Sequence, residues 1–128
     1  MWFLAALTLA SATPPAPAEI VFGGERFGPR QTITCKWFTN FESSRFSACR
    51  SGAQALLSID EYASPECSGN TCKSLNEAAR KATGWTRPRK FTVVFVGRVA
   101  LFPHAERYPG DGTRTILIEE LQIVSTAK

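Results

Sequence analysis

The sequence predicts a mostly β domain with one helix, a five-stranded Greek-key barrel whose helix falls between the third and fourth strands. Three observations carry that expectation. Residues 31–38 alternate, with Ile33, Cys35 and Trp37 on one side and Thr32, Thr34 and Lys36 on the other, the period of a half-buried strand. Leu75, Ala78, Ala79 and Ala82 recur at the spacing of a helical stripe. Residues 91–99 are apolar on both faces, as a central strand is.

A chain of 128 residues holds one ordinary domain. With 44% apolar and 20% charged residues it is neither collagen-like nor a disordered tail. Lys and Arg number 15 and Asp and Glu 11, a mild net charge of +4. A single His excludes any site that needs several imidazoles.

The elements follow in order. Residues 2–10 are a short apolar run, too short to cross a bilayer, which takes about 20 apolar residues. Two A-x-A patterns follow it, ending at Ala12 and Ala18, the layout of a secretory signal peptide, although no Lys or Arg precedes the run. The alternative, a buried N-terminal strand, fits poorly with the Pro-rich stretch over 13–17. Residues 1–18 are therefore expected to be a signal peptide, 19–30 an N-terminal arm or short strand, and 31–128 one domain. The expected location is periplasmic or secreted, with no membrane span in the mature form. No Cys follows the run directly, which argues against a lipid anchor.

The cysteines agree with export. Cys35, Cys49, Cys67 and Cys72 are an even set, and exported small domains are commonly stapled by disulfides. Zinc needs paired thiolates at close spacing, and only Cys67 and Cys72 approach it. A hairpin centred on residue 42 sets Cys35 opposite Cys49 and Phe38 opposite Phe46, so one register places a disulfide beside an aromatic pair. The expected pairs are Cys35–Cys49 and Cys67–Cys72, the second closing a compact loop.

Residues 54–59 read as a third short strand, followed by turn residues through Ser64 and Pro65. Ser74 and Glu77 form a capping box at the helix start, and Gly84 sits where the helix stops. A long loop over 101–114 contains a Pro-Gly-Asp-Gly turn at 109–112. Residues 115–124 form the last strand, whose apolar phase shifts midway. A bulge at Glu119 and Glu120 would produce that shift; otherwise Glu119 points inward and needs a cation, with Arg98 the candidate.

Three strands, a helix, then two strands is the order of an OB-fold, and the resemblance covers residues 31–124. Two stretches, WFTNFESSRF over 37–46 and FVGR over 95–98 followed by GDGT over 110–113, resemble small exported proteins of Gram-negative bacteria. That resemblance implies no assigned activity and no catalytic residue. Netrin and metalloproteinase-inhibitor modules are exported OB-folds too, but their Cys-rich mature N-terminus is missing here, since Cys35 lies well inside the chain.

No enzyme, cofactor or metal is expected. His104 is the one candidate base, with Glu106 or Asp111 to orient it, but no nucleophile motif stands beside it, and a solvated loop His is the simpler reading. The Gly-Asp-Gly turn lacks the Lys-Ser/Thr of a phosphate loop and the oxygen ligands of a calcium loop. The expected function is a non-enzymatic binding module for a protein or small ligand. Its contacts would be loops 39–44 and 100–114, with Phe41 and Arg45 on one side and His104, Arg107 and Tyr108 on the other. Two alternatives stand beside it. Trp37, Phe38, Phe41, Phe46 and Trp85 interleave with Lys36, Arg45, Arg50, Arg87, Arg89 and Lys90, so a basic-aromatic face could bind an envelope polyanion or single-stranded nucleic acid. Nucleic acid is the less expected of these, because an exported domain seldom meets it. The other alternative is an enzyme of unrecognised type using His104.

Overall fold

The computed structural model describes residues 17–40, 43–83, 89–106 and 112–126. A short hairpin comes first, β1 (Ile20–Phe22) and β2 (Glu25–Phe27). Then follow β3 (Gln31–Thr39), β4 (Ser44–Ser51), β5 (Gln54–Ala55), β6 (Ala63–Cys67), α1 (Thr71–Thr83), β7 (Arg89–Val99) and β8 (Arg114–Thr126). The fold is mostly β with one helix, as expected.

The main sheet is mixed and runs β3-β7-β8-β6-β4-β5. Strand β3 also pairs with β4, so the hydrogen-bonded pairings close a ring through β3, β7, β8, β6 and β4. All pairings are antiparallel except β6 with β8. The ring is thinnest between β4 and β6, which meet only at Phe46 and Ala63.

The alternation in β3 does what its pattern dictates. Ile33, Cys35 and Trp37 face the interior, with Phe46 and Cys49 of β4 and Phe91, Val93 and Phe95 of β7. Trp37 packs on Phe91 with ring centroids 5.1 Å apart, and Phe46 stacks on Phe95 at 5.4 Å. Strand β7 lies between β3 and β8; Phe91, Val93 and Phe95 are buried on its inner face, and Val94 and Val96 are half-buried on the other. Helix α1 covers one side of the ring with Leu75 and Ala79. Ala82, part of the expected stripe, is exposed.

Both expected disulfides are present, Cys35–Cys49 and Cys67–Cys72, with Cα atoms 4.1 and 5.4 Å apart. The aromatic half of the expected hairpin register needs correction. Phe46 stands opposite Trp37, and Phe38 stands opposite Arg45. The cause is a bulge. Between Lys36↔Ser47 and Thr34↔Arg50, β4 spends one residue more than β3, and Ala48 takes a left-handed φ of 50°. Phe46 and Cys49 are three residues apart and would face opposite sides of a regular strand. The extra residue turns both inward.

The third strand also differs from expectation. Of residues 54–59 only Gln54–Ala55 pairs, in a tight return onto β4. Leu57 is buried, but Ile59 is 99% exposed. The strand that completes the ring is Ala63–Cys67, which contains the Ser64 and Pro65 that read as turn residues. Beyond Ala63 the β4 side of this strand is open, a setting in which a Pro costs the sheet no ladder bond on that edge.

The helix starts earlier than its expected capping box. Ser74 donates its backbone N–H to the Asn70 carbonyl, so Asn70 is the N-cap and Ser74 lies inside the helix. The first turn is fixed from outside the helix: Cys72 is bonded to Cys67, and Thr71 donates its hydroxyl to the Ile118 carbonyl at 3.1 Å. Gly84 lies outside the described residues.

In β8 the register slips twice, once at Glu119 and once at Gln122. The expected bulge at Glu119 is therefore present, and so is the expected ion pair. Glu119 accepts from Arg98 Nε at 3.1 Å and from Arg30 Nε at 3.2 Å. Arg98 does not point into the ring. It lies on the opposite face of β7 from Phe95, under the β1–β2 arm, and is 2% exposed. Its Nη1 donates to the Pro17 and Gly28 carbonyls at 2.9 and 3.1 Å. Phe27, Ala100 and Leu117, flanked by Ile20 and Phe22, seal that face as a second small core.

Among the described residues no cysteine is unpaired, and no helix is long and apolar enough to cross a membrane. Two disulfides suit an oxidising, extracytoplasmic setting.

Candidate functional site

The outward face of β3 and its neighbours is where unspent chemistry gathers. Side chains alternate along β3, so burying Cys35 and Trp37 turns Lys36 and Phe38 outward. The pairings then assemble two rows across three strands. One row is Arg45, Phe38 and Lys90; the next is Ser47, Lys36 and Thr92. Adjacent strands lie about 4.8 Å apart, so the backbone positions of Arg45 and Lys90 are separated by roughly 10 Å with Phe38 between them.

Tyr62, just before β6, forms the far wall. Together these residues line a concavity of about 510 Å³, within the range of small-ligand sites. Its lining holds three cations, Lys36, Arg45 and Lys90, and no carboxylate. The ion pairs among the described residues use Arg26, Arg30, Arg98 and Arg114, and none uses the three groove cations.

Arg45 is held by rings. Its guanidinium carbon lies 5.1 Å from the centroid of Phe38 and 4.6 Å from that of Tyr62. Each contact is a cation–π interaction, worth about 0.5–1 kcal/mol at an exposed position. Among the described residues no acceptor takes the Arg45 N–H donors.

The expected loop contacts are only partly placed. Phe41, Arg107 and Tyr108 lie outside the described residues, as do Trp85, Arg87 and Asp111. Arg45 belongs to β4 and lines the groove. His104 is half-buried on the loop after β7, and hydrogen bonds connect that loop to the groove wall. The Thr113 N–H donates to the Tyr62 carbonyl at 3.1 Å, and the His104 N–H donates to the Thr113 carbonyl at 2.7 Å. The described parts of the loop, 100–106 and 112–114, are thus joined to each other and to the backbone of Tyr62.

The His104 ring is not oriented by Glu106, which is exposed. Its Nδ1 lies 2.9 Å from the Ala105 carbonyl and its Nε2 lies 3.1 Å from Thr115 Oγ1. A carbonyl only accepts, so Nδ1 carries a proton, and in the neutral ring Nε2 accepts from the Thr115 hydroxyl. This is the hydrogen-bond pattern of a hydroxyl nucleophile beside its base. Thr115, however, is 4% exposed and sits inside β8. A substrate carbonyl has no approach to it, and the pair acts as a pin that ties the loop to the sheet.

Sequence reading missed Tyr62 altogether. The signal available was a lone aromatic among acidic and turn residues, which carries no periodicity. It also took Trp37 and Phe46 as part of the basic-aromatic face, whereas both are fully buried. Among the described residues no group of three or more His, Cys, Asp or Glu side chains is arranged to hold a metal ion. Comparison of the chain with protein-family models, with curated proteins and with solved structures gave no match in any of the three.

Proposed function

We propose that this chain is a non-enzymatic, exported binding module of OB type that takes an anionic ligand in the groove of Lys36, Phe38, Arg45, Tyr62 and Lys90. Three features support the OB assignment. Strands β3, β4, β6, β7 and β8 follow one another with the helix after the third. The third and fifth of these pair in parallel, and the first closes on the fourth. The two disulfides and the apolar leader support an exported, periplasmic or secreted protein. The resemblance to small exported Gram-negative proteins agrees with both.

One observation carries the functional reading: three cations share a concave, partly aromatic surface with no acid among its lining residues. Like charges on neighbouring strands repel. Such a cluster costs stability in the absence of a ligand and is favourable when an anion fills it. The described end of loop 100–114 is bonded to the Tyr62 backbone through Thr113, and on this reading recognition extends from the groove to the expected contacts of loops 39–44 and 100–114.

The test is equilibrium binding of the full chain to polyphosphate, polygalacturonate and dextran sulfate, with neutral dextran as control. At least one polyanion should bind and dextran should not. The Lys36→Glu, Lys90→Glu double variant should lose about tenfold or more in affinity, and loss should steepen at low salt. Its thermal midpoint should stay near that of the parent, because both side chains are exposed. Unchanged binding by the charge-reversed variant would overturn the groove reading. If Arg107→Ala with Tyr108→Ala abolishes binding instead, the recognition edge is the loop and not the groove.

A further inference from the structure

The deepest feature of the groove is the state of Arg45, and from it we infer that the groove is a receptor for a phosphate monoester, with Arg45 as the bidentate fork. The inference rests on the groove reading above. Guanidinium has two apolar faces and an edge bearing five N–H donors. In this chain the guanidinium carbon of Arg45 lies over the rings of Phe38 and Tyr62, 5.1 and 4.6 Å from their centroids. A π face holds a cation without accepting its N–H bonds in the way an oxygen does, so the two ring contacts position the group and leave its donors for a ligand. No acceptor among the described residues meets those donors.

A guanidinium fork with donors to spare matches a group with two coplanar oxygens, which means a carboxylate or a phosphate. The two flanking lysines decide between them. Lys36 and Lys90 stand one step along and one step across the sheet from Phe38, so three positive charges face one small volume. A carboxylate brings a single negative charge and two oxygens, both consumed by the fork. A phosphate monoester brings between 1.5 and 2 negative charges at neutral pH, as does a phosphorylated side chain, and a third terminal oxygen for a lysine. Tyr62, 43% exposed, offers an aromatic wall for whatever the ester carries. A diester, as in a nucleic-acid strand, has one charge per phosphate and two terminal oxygens, so it leaves the lysines less well matched.

Titration of the full chain by backbone amide shifts distinguishes these chemistries. Phenyl phosphate should bind about tenfold or more tightly than benzoate, and more tightly than dimethyl phosphate. Inorganic phosphate should compete at the same amides, those of β3, β4 and residue 62. Arg45→Lys keeps the charge but removes the fork, and should lose about tenfold in phenyl phosphate affinity while leaving benzoate binding weak. Tyr62→Ala removes one of the two ring contacts of Arg45 from an exposed position and should weaken phenyl phosphate severalfold with the fold intact. Vesicles doped with phosphatidic acid, against phosphatidylglycerol, separate a lipid-borne monoester from a soluble one; capture by the first alone assigns the headgroup. Equal binding by Arg45→Lys and the parent, or equal affinity for benzoate and phenyl phosphate, overturns the inference. So does preference for an oligonucleotide lacking a terminal phosphate. The outcomes are separable from those for the groove itself. If Lys36→Glu, Lys90→Glu abolishes polyanion binding but Arg45→Lys changes nothing, the groove stands and the monoester receptor falls.

Discussion

Gly97 marks the tightest crossing in the ring, and replacing it by Ala should be among the most damaging one-carbon changes the chain can suffer. A Cβ placed there would lie 2.0 Å from the Leu117 carbonyl oxygen and 2.9 and 3.0 Å from two carbons of the Phe95 ring. Carbon and oxygen sit comfortably at about 3.3 Å or more. Strands β7 and β8 would have to part by more than 1 Å locally, an order-of-magnitude estimate from that contact distance. The main obstacle is backbone, not the end of a flexible side chain. It also adjoins the Glu119 bulge, where the register already slips. Overpacking costs typically 1–3 kcal/mol, and a backbone clash between two long central strands belongs at or above about 3. For a domain of this size each kcal/mol lowers the midpoint by roughly 4–8 °C, so Gly97→Ala should fall by about 12 °C or more in thermal unfolding followed by circular dichroism. Gly28 is the matched control. It too is buried, but a Cβ there meets Leu101 Cδ2 at 3.4 Å and the Val99 carbonyl at 3.5 Å, ordinary contact. Gly28→Ala should cost less than about 1 kcal/mol. A Gly97→Ala midpoint indistinguishable from that of Gly28→Ala would refute the steric reasoning.

Two further expectations concern the staples and the arm. Replacing Cys35 and Cys49 by Ala removes a closure spanning 14 residues and should cost about 3 kcal/mol, while removing Cys67–Cys72, spanning 5, should cost about 2; denaturant midpoints give the order. Arg98→Met keeps the aliphatic stem but abandons the Pro17 and Gly28 carbonyls and one partner of Glu119. Arg30 remains beside Glu119, so the loss should fall at or below the low end of the range for a broken buried pair, about 3 kcal/mol. Trypsin should then cleave after Arg26 or Arg30 well before the ring, and an arm that stays protected would show that Arg98 does not hold it.

The parts of the fold that sequence revealed are those where one strong period runs without interruption. Strand β3, the two-faced β7 and the helical stripe each bury their pattern over several residues, and the pattern survives into three dimensions. Irregular positions were hidden, each for a local reason. Strand β6 is short, holds a Pro, and gains its place from a parallel partner far away in sequence. The helix start was displaced because Asn70 caps it and Cys72 anchors its first turn, neither of which is part of the apolar stripe. The β4 bulge was legible in principle. Cys35 and Trp37 are two residues apart, Phe46 and Cys49 three, so a hairpin burying all four needs one extra residue on the second strand. Glu119 offered two readings because a bulge and an ion pair answer the same difficulty, and β8 uses both.

The site divides the same way. Lys36, Phe38, Arg45 and Lys90 were visible as a basic-aromatic interleave, but the sequence could not say which aromatics were core, since that depends on parity across two pairings. Tyr62 reaches the groove only because β6 follows it into the ring.

The distribution of charge gives the surface its meaning. The net charge of +4 is small, and four arginines are already matched: Arg26 with Glu19, Arg30 and Arg98 with Glu119, and Arg114 with Glu61. Those pairs engage Glu19, Glu61 and Glu119 in the arm and on the β6–β8 side, away from the lining of the groove. Phe38 separates Arg45 from Lys90 within their row, which tempers the repulsion between them without removing either charge. A surface selected only for solubility would intersperse the signs. Here three cations face one concavity with no acid in its lining, while the Arg98–Glu119 pair lies farther along the outer side of β7, beneath the arm, the arrangement expected when an anion supplies the missing charge.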